Sequence, residues 1–151
     1  MKNLTNYIQE GLKVNSKSKI KKYNYQPKTR KDLIELINKL LDERGENADL
    51  NDIDISKITD MSFIFSDLTF NGDISRWDVS NVEDMSGMFA NSEFNGDISI
   101  WNVSNVKYMA QMFKDSNFNK DISNWDVSQV EDMWKMFDNC PLQNNPPKWY
   151  K

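Results

Sequence analysis

The side chains that most often do chemistry are nearly missing from this sequence. It has no histidine, and Cys140 is its one cysteine. Ser-His-Asp and Cys-His catalysis, Cys/His zinc sites and a disulfide within one chain are excluded on residue type. Methionine and carboxylate remain. Met85 and Met88 recur as Met109 and Met112 and as Met133 and Met136, and paired thioethers are soft ligands that suit Cu(I). Each pair runs into Phe89, Phe113 or Phe137, so the expectation is core packing. Asp73, Asp97 and Asp121 also recur at one step, as do Asp78 and Asp126 with Asn102 between them. Oxygen ligands gathered in that way suit calcium. Like charges stacked at roughly 5 Å repel unless each is hydrogen-bonded, so the expected duty of these aspartates is to hold turn N–H groups. A carboxylate pair also serves glycoside hydrolysis, but nothing here separates such a pair from a solvated acidic face. The expectation is a protein that is not an enzyme and needs no cofactor.

Such residues act only where a fold holds them, and a repeat decides the fold. Trp77, Trp101 and Trp125 stand 24 residues apart, and Met85, Met109 and Met133 keep that step. The units 71–94, 95–118 and 119–142 share eleven of 24 positions: in the first, Asn71, Asp73, Ile74, Ser75, Trp77, Val79, Ser80, Val82, Met85, Met88 and Phe89. A drifted unit, 47–70, precedes them with Ile53 at the Trp position and Met61, Ile64 and Phe65 closing the set. Trp149 falls 24 beyond Trp125, while Pro141, Pro146 and Pro147 stop regular structure. Within one unit, Asp-Ile-Ser suits a stub of strand. Val82, Met85, Met88 and Phe89 stand at helical spacing, with Ser80 or Asn81 as a cap. No unit can bury its apolar residues alone, so units must stack. The expected architecture is an α/β repeat solenoid, a leucine-rich-repeat-like right-handed coil of about four 24-residue units with an N-terminal helical cap.

The recurring string of Asp-Ile-Ser, Trp, Val-Ser and Met-x-x-Met-Phe resembles the BspA-like, or Mycoplasma-lipoprotein-type, leucine-rich repeat over 47–142. That resemblance implies a binding scaffold of the kind found in bacterial surface lipoproteins and adhesins, and in some intracellular and phage-encoded proteins. The start, MKNLTNYIQEG, places Glu10 where a secretory signal needs an apolar run. No run approaches 18 apolar residues, so no membrane span is expected. Together these give a cytoplasmic expectation.

Ahead of the repeats, Leu33, Leu36, Ile37, Leu40 and Leu41 follow a helical period, opened by Thr29 with Asp32 and stopped by Gly45. Residues 29–46 are therefore expected to be a helix capping the first unit, and 143–151 a C-terminal cap. Residues 1–28 read as a basic arm. Lys13, Lys17, Lys19, Lys21 and Lys22 are interleaved with Tyr23 and Tyr25, a composition able to meet phosphates and stack bases. Residues 1–48 carry a net charge of +5 and residues 49–151 one of −9, so the arm has an acidic body to lie against.

Positions that vary between units are free of stacking duty. Arg76, Ile100, Tyr108 and Trp134 stand at such positions, and exposed Tyr, Trp and Arg are frequent binding anchors. For Trp134, packing on the C-terminal cap is as good a reading as binding. The functional expectation is non-catalytic recognition of a protein partner. The rival expectations are a nucleic-acid-associated or virion-packaged protein acting through the arm, and a bacterial surface adhesin.

Overall fold

The computed structural model describes residues 23–151. Helix α1 covers Arg30–Arg44. Thr29 Oγ1 accepts from the Asp32 amide at 3.1 Å, and the Asp32 carboxylate accepts from the Thr29 amide at 3.1 Å. This reciprocal pair satisfies two donors that a helix start leaves open. Gly45, at φ 87°, ends the helix with its amide on the Leu41 carbonyl. Leu33, Ile37 and Leu40 are fully buried, and Arg30 Nε donates to the Ser62 carbonyl at 2.7 Å. The helix thus lids the first unit.

Arg44 fixes the far end of that lid. Its guanidinium makes a forked pair with Asp52 at 2.8 and 2.9 Å. The Arg44 hydrogen bonds hold the Asp52 carboxyl down from 3.8 to about 2. A depressed carboxylate stabilises the fold above its unfolded value, and that stability drains away as pH falls toward the folded value. Arg44→Met is therefore expected to cost about 1–2 kcal/mol at pH 7, since both side chains are partly exposed. The deficit relative to wild type should shrink from pH 5 downward and level off near pH 2 at the part carried by the Arg44 bond to the Asp49 carbonyl and its contact with Tyr25. Urea unfolding of both proteins across that range checks this; a deficit independent of pH would contradict it.

Beyond α1 the units stack as four layers, but they do not form the expected α/β solenoid of leucine-rich-repeat type. Among the described residues there is no β-strand; the regular elements are α1 and a 3-10 turn, Pro141–Asn144. At the expected Asp-Ile-Ser stub a single isolated parallel bridge joins Asp49 to Asp73; the other isolated bridges join Tyr25 to Ile53 and run from Asp60 through Asp84 and Tyr108 to Asp132, outside the expected stubs. The stretch 82–89, expected to be helical, is a chain of turns. Two residues per layer explain this. Phe63 and Asp67, Gly87 and Asn91, Gln111 and Asp115, and Lys135 and Asn139 all have φ between 52° and 61°. A left-handed residue recurring every fourth position breaks any right-handed helix.

Those residues set an alternating hydrogen-bond pattern. The amides of Met85, Gly87, Phe89 and Asn91 donate to the carbonyls of Tyr108, Ala110, Met112 and Lys114 in the next layer, at 2.8–2.9 Å. The amides of Met88 and Ala90, which fall between, close turns onto Met85 and Gly87 at 3.2 and 3.0 Å. Every second peptide group thus lies along the stack, carbonyl toward the preceding layer and N–H toward the following one. A pleated strand cannot form, because half of its donors are spent inside their own layer.

Inside, equal residues align. Phe65, Phe89, Phe113 and Phe137 stack with centroids 5.6–5.9 Å apart. Each tryptophan indole donates one layer back: Trp77 to the Leu50 carbonyl, Trp101 to Ile74 and Trp125 to Ile98, at 2.8–3.2 Å. Trp149 repeats the bond to Ile122 at 3.0 Å and stacks on Trp125. The C-terminal segment therefore supplies the tryptophan of a fifth layer without the rest of one.

Candidate functional site

The chemistry-bearing residues are tied up in the fold. Met85, Met88, Met109 and Met112 have no exposed surface. The aspartates act as turn holders: Asp73, Asp97, Asp121 and Asp126 accept the amides of Ser75, Ser99, Ser123 and Ser128 at 2.9–3.0 Å. Hydrogen bonds from Ser99 hold the Asp97 carboxyl below the usual range, as those from Ser75 do for Asp73. Cys140 is buried, which pushes its thiol up.

What stands outward is aromatic. Phe63 is 48%, Tyr108 41% and Trp134 60% exposed. All three lie on the ladder formed by 60–67, 84–91, 108–115 and 132–139. There Met61, Met85 and Met109 are buried; Tyr108 stands next to Met109, Trp134 next to Met133, and Phe63 two residues beyond Met61. Phe63 sits in the first layer, Tyr108 in the third and Trp134 in the fourth. With layers about 4.8 Å apart, the three span roughly 15 Å along the ladder at three register positions, a stretch we term the ridge.

Two of the three ridge residues break a local preference. Asp60, Asp84 and Asp132 accept the amide two residues on, at 2.8–2.9 Å; Tyr108 holds the same position and has no carboxylate to do so. Phe63 is a bulky residue at φ 56°, a conformation that costs an L-residue about 1–2 kcal/mol. Its ring lies over Gly87, where a Cβ would come within 2.1 Å of it. Trp134 packs no cap aromatic: Trp149 stacks on Trp125 instead, and Lys135 Nζ lies 4.7 Å from the centre of the Trp134 indole.

The model of the family described as "Mycoplasma protein of unknown function, DUF285" matches residues 34–149. The chain belongs to this family. The DUF285 match begins inside α1 and ends on Trp149, so most of the helix lid, the layers and the final tryptophan fall within it. No curated protein and no solved structure matches the chain.

Of the partner-binding residues expected from this DUF285 sequence, Tyr108 and Trp134 share the ridge. Arg76 and Ile100 do not: they hold one register position in neighbouring layers, on the stretch before the buried tryptophans. Ile100 is 77% exposed there, and Arg76 lies 3.8 Å from Asp49 with both side chains well exposed. Phe63 was missing from that expectation. Its signal was the contrast with Gly87, Gln111 and Lys135 at the same register. Of the arm, Lys13, Lys17, Lys19, Lys21 and Lys22 lie outside the described residues. Tyr23 is half-buried, and Tyr25 is held by the first layer: its amide donates to the Asp52 carbonyl at 3.3 Å and its carbonyl accepts from the Asp54 amide at 2.8 Å. Its ring also faces Arg44, so the stretch around Tyr25 belongs to the lid. Among the described residues, no helix is long and apolar enough to cross a membrane.

Proposed function

We propose that this chain is a non-catalytic protein-recognition module, of the BspA-like kind within its family, that grips a protein partner through Phe63, Tyr108 and Trp134. The observation that carries this reading is the coincidence of exposure with local cost. Three large aromatics face solvent on one ladder, two of them where the backbone favours a different residue. Violations of local preference concentrate where function requires them, and buried aromatic anchors dominate interface energies. The resemblance of the repeats to BspA-like binding scaffolds supports the same conclusion.

The test is capture of partners by the immobilised full-length protein, wild type against Phe63→Gly/Tyr108→Ala/Trp134→Ala. Binding is expected to fall by about 100-fold or more, as anchors lost together commonly produce. The melting temperature should move by only a few degrees. Relief of the left-handed Phe63 backbone, about 1–2 kcal/mol, offsets the greater unfolded-state freedom of glycine. Capture that survives the triple substitution but disappears with nuclease or moderate salt would sink the ridge and favour nucleic acid held by the lysines.

A further inference from the structure

The layered hydrogen-bond pattern runs out at one edge. In the fourth layer the amides of Met133, Lys135 and Phe137 occupy the places from which Met109, Gln111 and Phe113 donate onward. Among the described residues they meet no acceptor, and neither does the Glu131 carbonyl meet a donor; the Asn139 amide is closed by Gln143 Oε1 at 2.6 Å. The apolar side of this edge is open too. Val79, Val82 and Met85, and Val103, Val106 and Met109, are buried to 0–1%. Their counterparts Val127, Val130 and Met133 are only partly buried. Trp149 and Tyr150 cover Trp125 and Phe137 and leave this half of the layer uncovered.

We propose that residues 127–135 are a docking edge for an extended segment of a protein partner. The segment bears a lysine or arginine between apolar residues and adds in parallel as a fifth layer. This rests on the reading that the chain recognises a protein. Charge and hydrogen bonding select the occupant. At one register the side chains alternate Glu83, Lys107, Glu131, and Lys107 Nζ meets Glu83 at 3.2 Å. Glu131 has no ion pair among the described residues, and exposed Asp126 and Asp132 flank it. A cation opposite Glu131 completes the series. Lys135 does not cancel the acidity, since it is engaged by the Trp134 ring and lies 4.0 Å from Asp138. A second copy does not fit. Its first layer is lidded by α1, with Arg30 on the Ser62 carbonyl, and two such edges face to face would set N–H against N–H and Glu131 against Glu131. The fitting pattern is apolar, two residues, apolar, basic, one residue, apolar. The third layer presents it to the second as Val103, Val106, Lys107 and Met109.

The probe is a synthetic peptide with the sequence of residues 102–111, which leaves the places of Trp149 and Tyr150 free, added to the full-length protein and read by amide hydrogen exchange and fluorescence titration. Alone, the protein should exchange Met133 and Lys135 amides at least 100-fold faster than Met109 and Gln111 amides. The peptide should slow them. A Lys107→Glu peptide should bind roughly fivefold to tenfold more weakly, and Glu131→Lys in the protein should restore it. Met133 and Lys135 amides already protected without peptide would show the edge covered by the chain's own residues or a second copy, and would overturn the proposal. So would a peptide that leaves them unprotected, or binds with no response to the charge exchange. Phe63→Gly, which alters the ridge in the first layer and lies outside the edge, leaves this signal unchanged, so failure of the edge and failure of the ridge are read separately.

Discussion

Truncating Phe113 to alanine is expected to remove about 3–5 kcal/mol of stability, a large part of what holds a domain of this size together. Phe113 has no exposed surface. Its ring lies 5.7 Å from Phe89, 5.9 Å from Phe137, 4.1 Å from Phe118 and 6.4 Å from Trp125. The cost should sit at the upper end of that range because the site cannot collapse. The layers on either side are pinned by the Phe89 amide on Met112 and the Phe113 amide on Met136, at 2.9 and 3.0 Å. Phe137→Ala should cost less, since Tyr150 and Trp149 lie against its outer face and a terminal segment can settle into the space. Guanidinium unfolding of the two variants decides this. Equal losses would mean that the layers slide freely and that the backbone ladder is not rigid.

The same ladder shows which parts of the fold could be read from residues. The 24-residue step was legible because the indoles and phenylalanines must align to be buried together. It even placed Trp149, whose bond to Ile122 continues the series. The lid was legible in Thr29, Asp32 and Gly45, since capping is local. The duty of the aspartates was legible for the same reason. The layer conformation was not. Val82, Met85, Met88 and Phe89 are all buried, but steps of three arise from successive turns as readily as from a helix. The distinguishing signal was weak: Asp67, Asn91, Asp115 and Asn139 hold one left-handed register, and asparagine and aspartate are the non-glycine residues that tolerate it best. Phe63 was legible only weakly: an apolar residue in a drifted unit reads as core, and against that stands only the contrast with Gly87, Gln111 and Lys135 at its register, while its positive φ and exposed ring are properties of the fold.

The ridge and the open edge share a segment, 132–135, yet they present different chemistry. The ridge offers side chains at the outward positions; the edge offers main-chain N–H groups along the stack axis. Trp134 belongs to the first and the amides of Met133 and Lys135 to the second. One partner with an extended segment and an adjoining apolar surface could engage both, and a partner lacking the segment would use the ridge alone. Both surfaces depend on the layers keeping their spacing, so the glycines that let layers approach bear on function as well as on folding.

Gly72→Ala tests that spacing most severely, with an expected loss of about 3 kcal/mol, at the top of the range for overpacking. A Cβ there would stand 2.0 Å from the Ala48 carbonyl oxygen and 2.9 Å from its carbon, as well as 2.5 Å from the Phe70 ring. Main chain cannot swing aside as a side chain can. That oxygen also accepts the Asp73 amide at 3.0 Å, so relief of the clash breaks a bond between the first two layers. Gly96→Ala should cost less: the nearest main-chain atom, the Gly72 oxygen, is 3.3 Å away, and the short contacts are with the Phe94 ring. By the fourth layer Lys120 fills the same register with a full side chain. Gly45→Ala isolates backbone strain, because nothing lies within 4 Å and its φ of 87° with ψ of 174° suits glycine almost alone, a cost of about 1–3 kcal/mol. A Gly72→Ala protein clearly less stable than Gly96→Ala would confirm that approach of the first two layers is set by the missing Cβ. A Gly72→Ala protein as stable as Gly96→Ala would show that the layers can part there without loss.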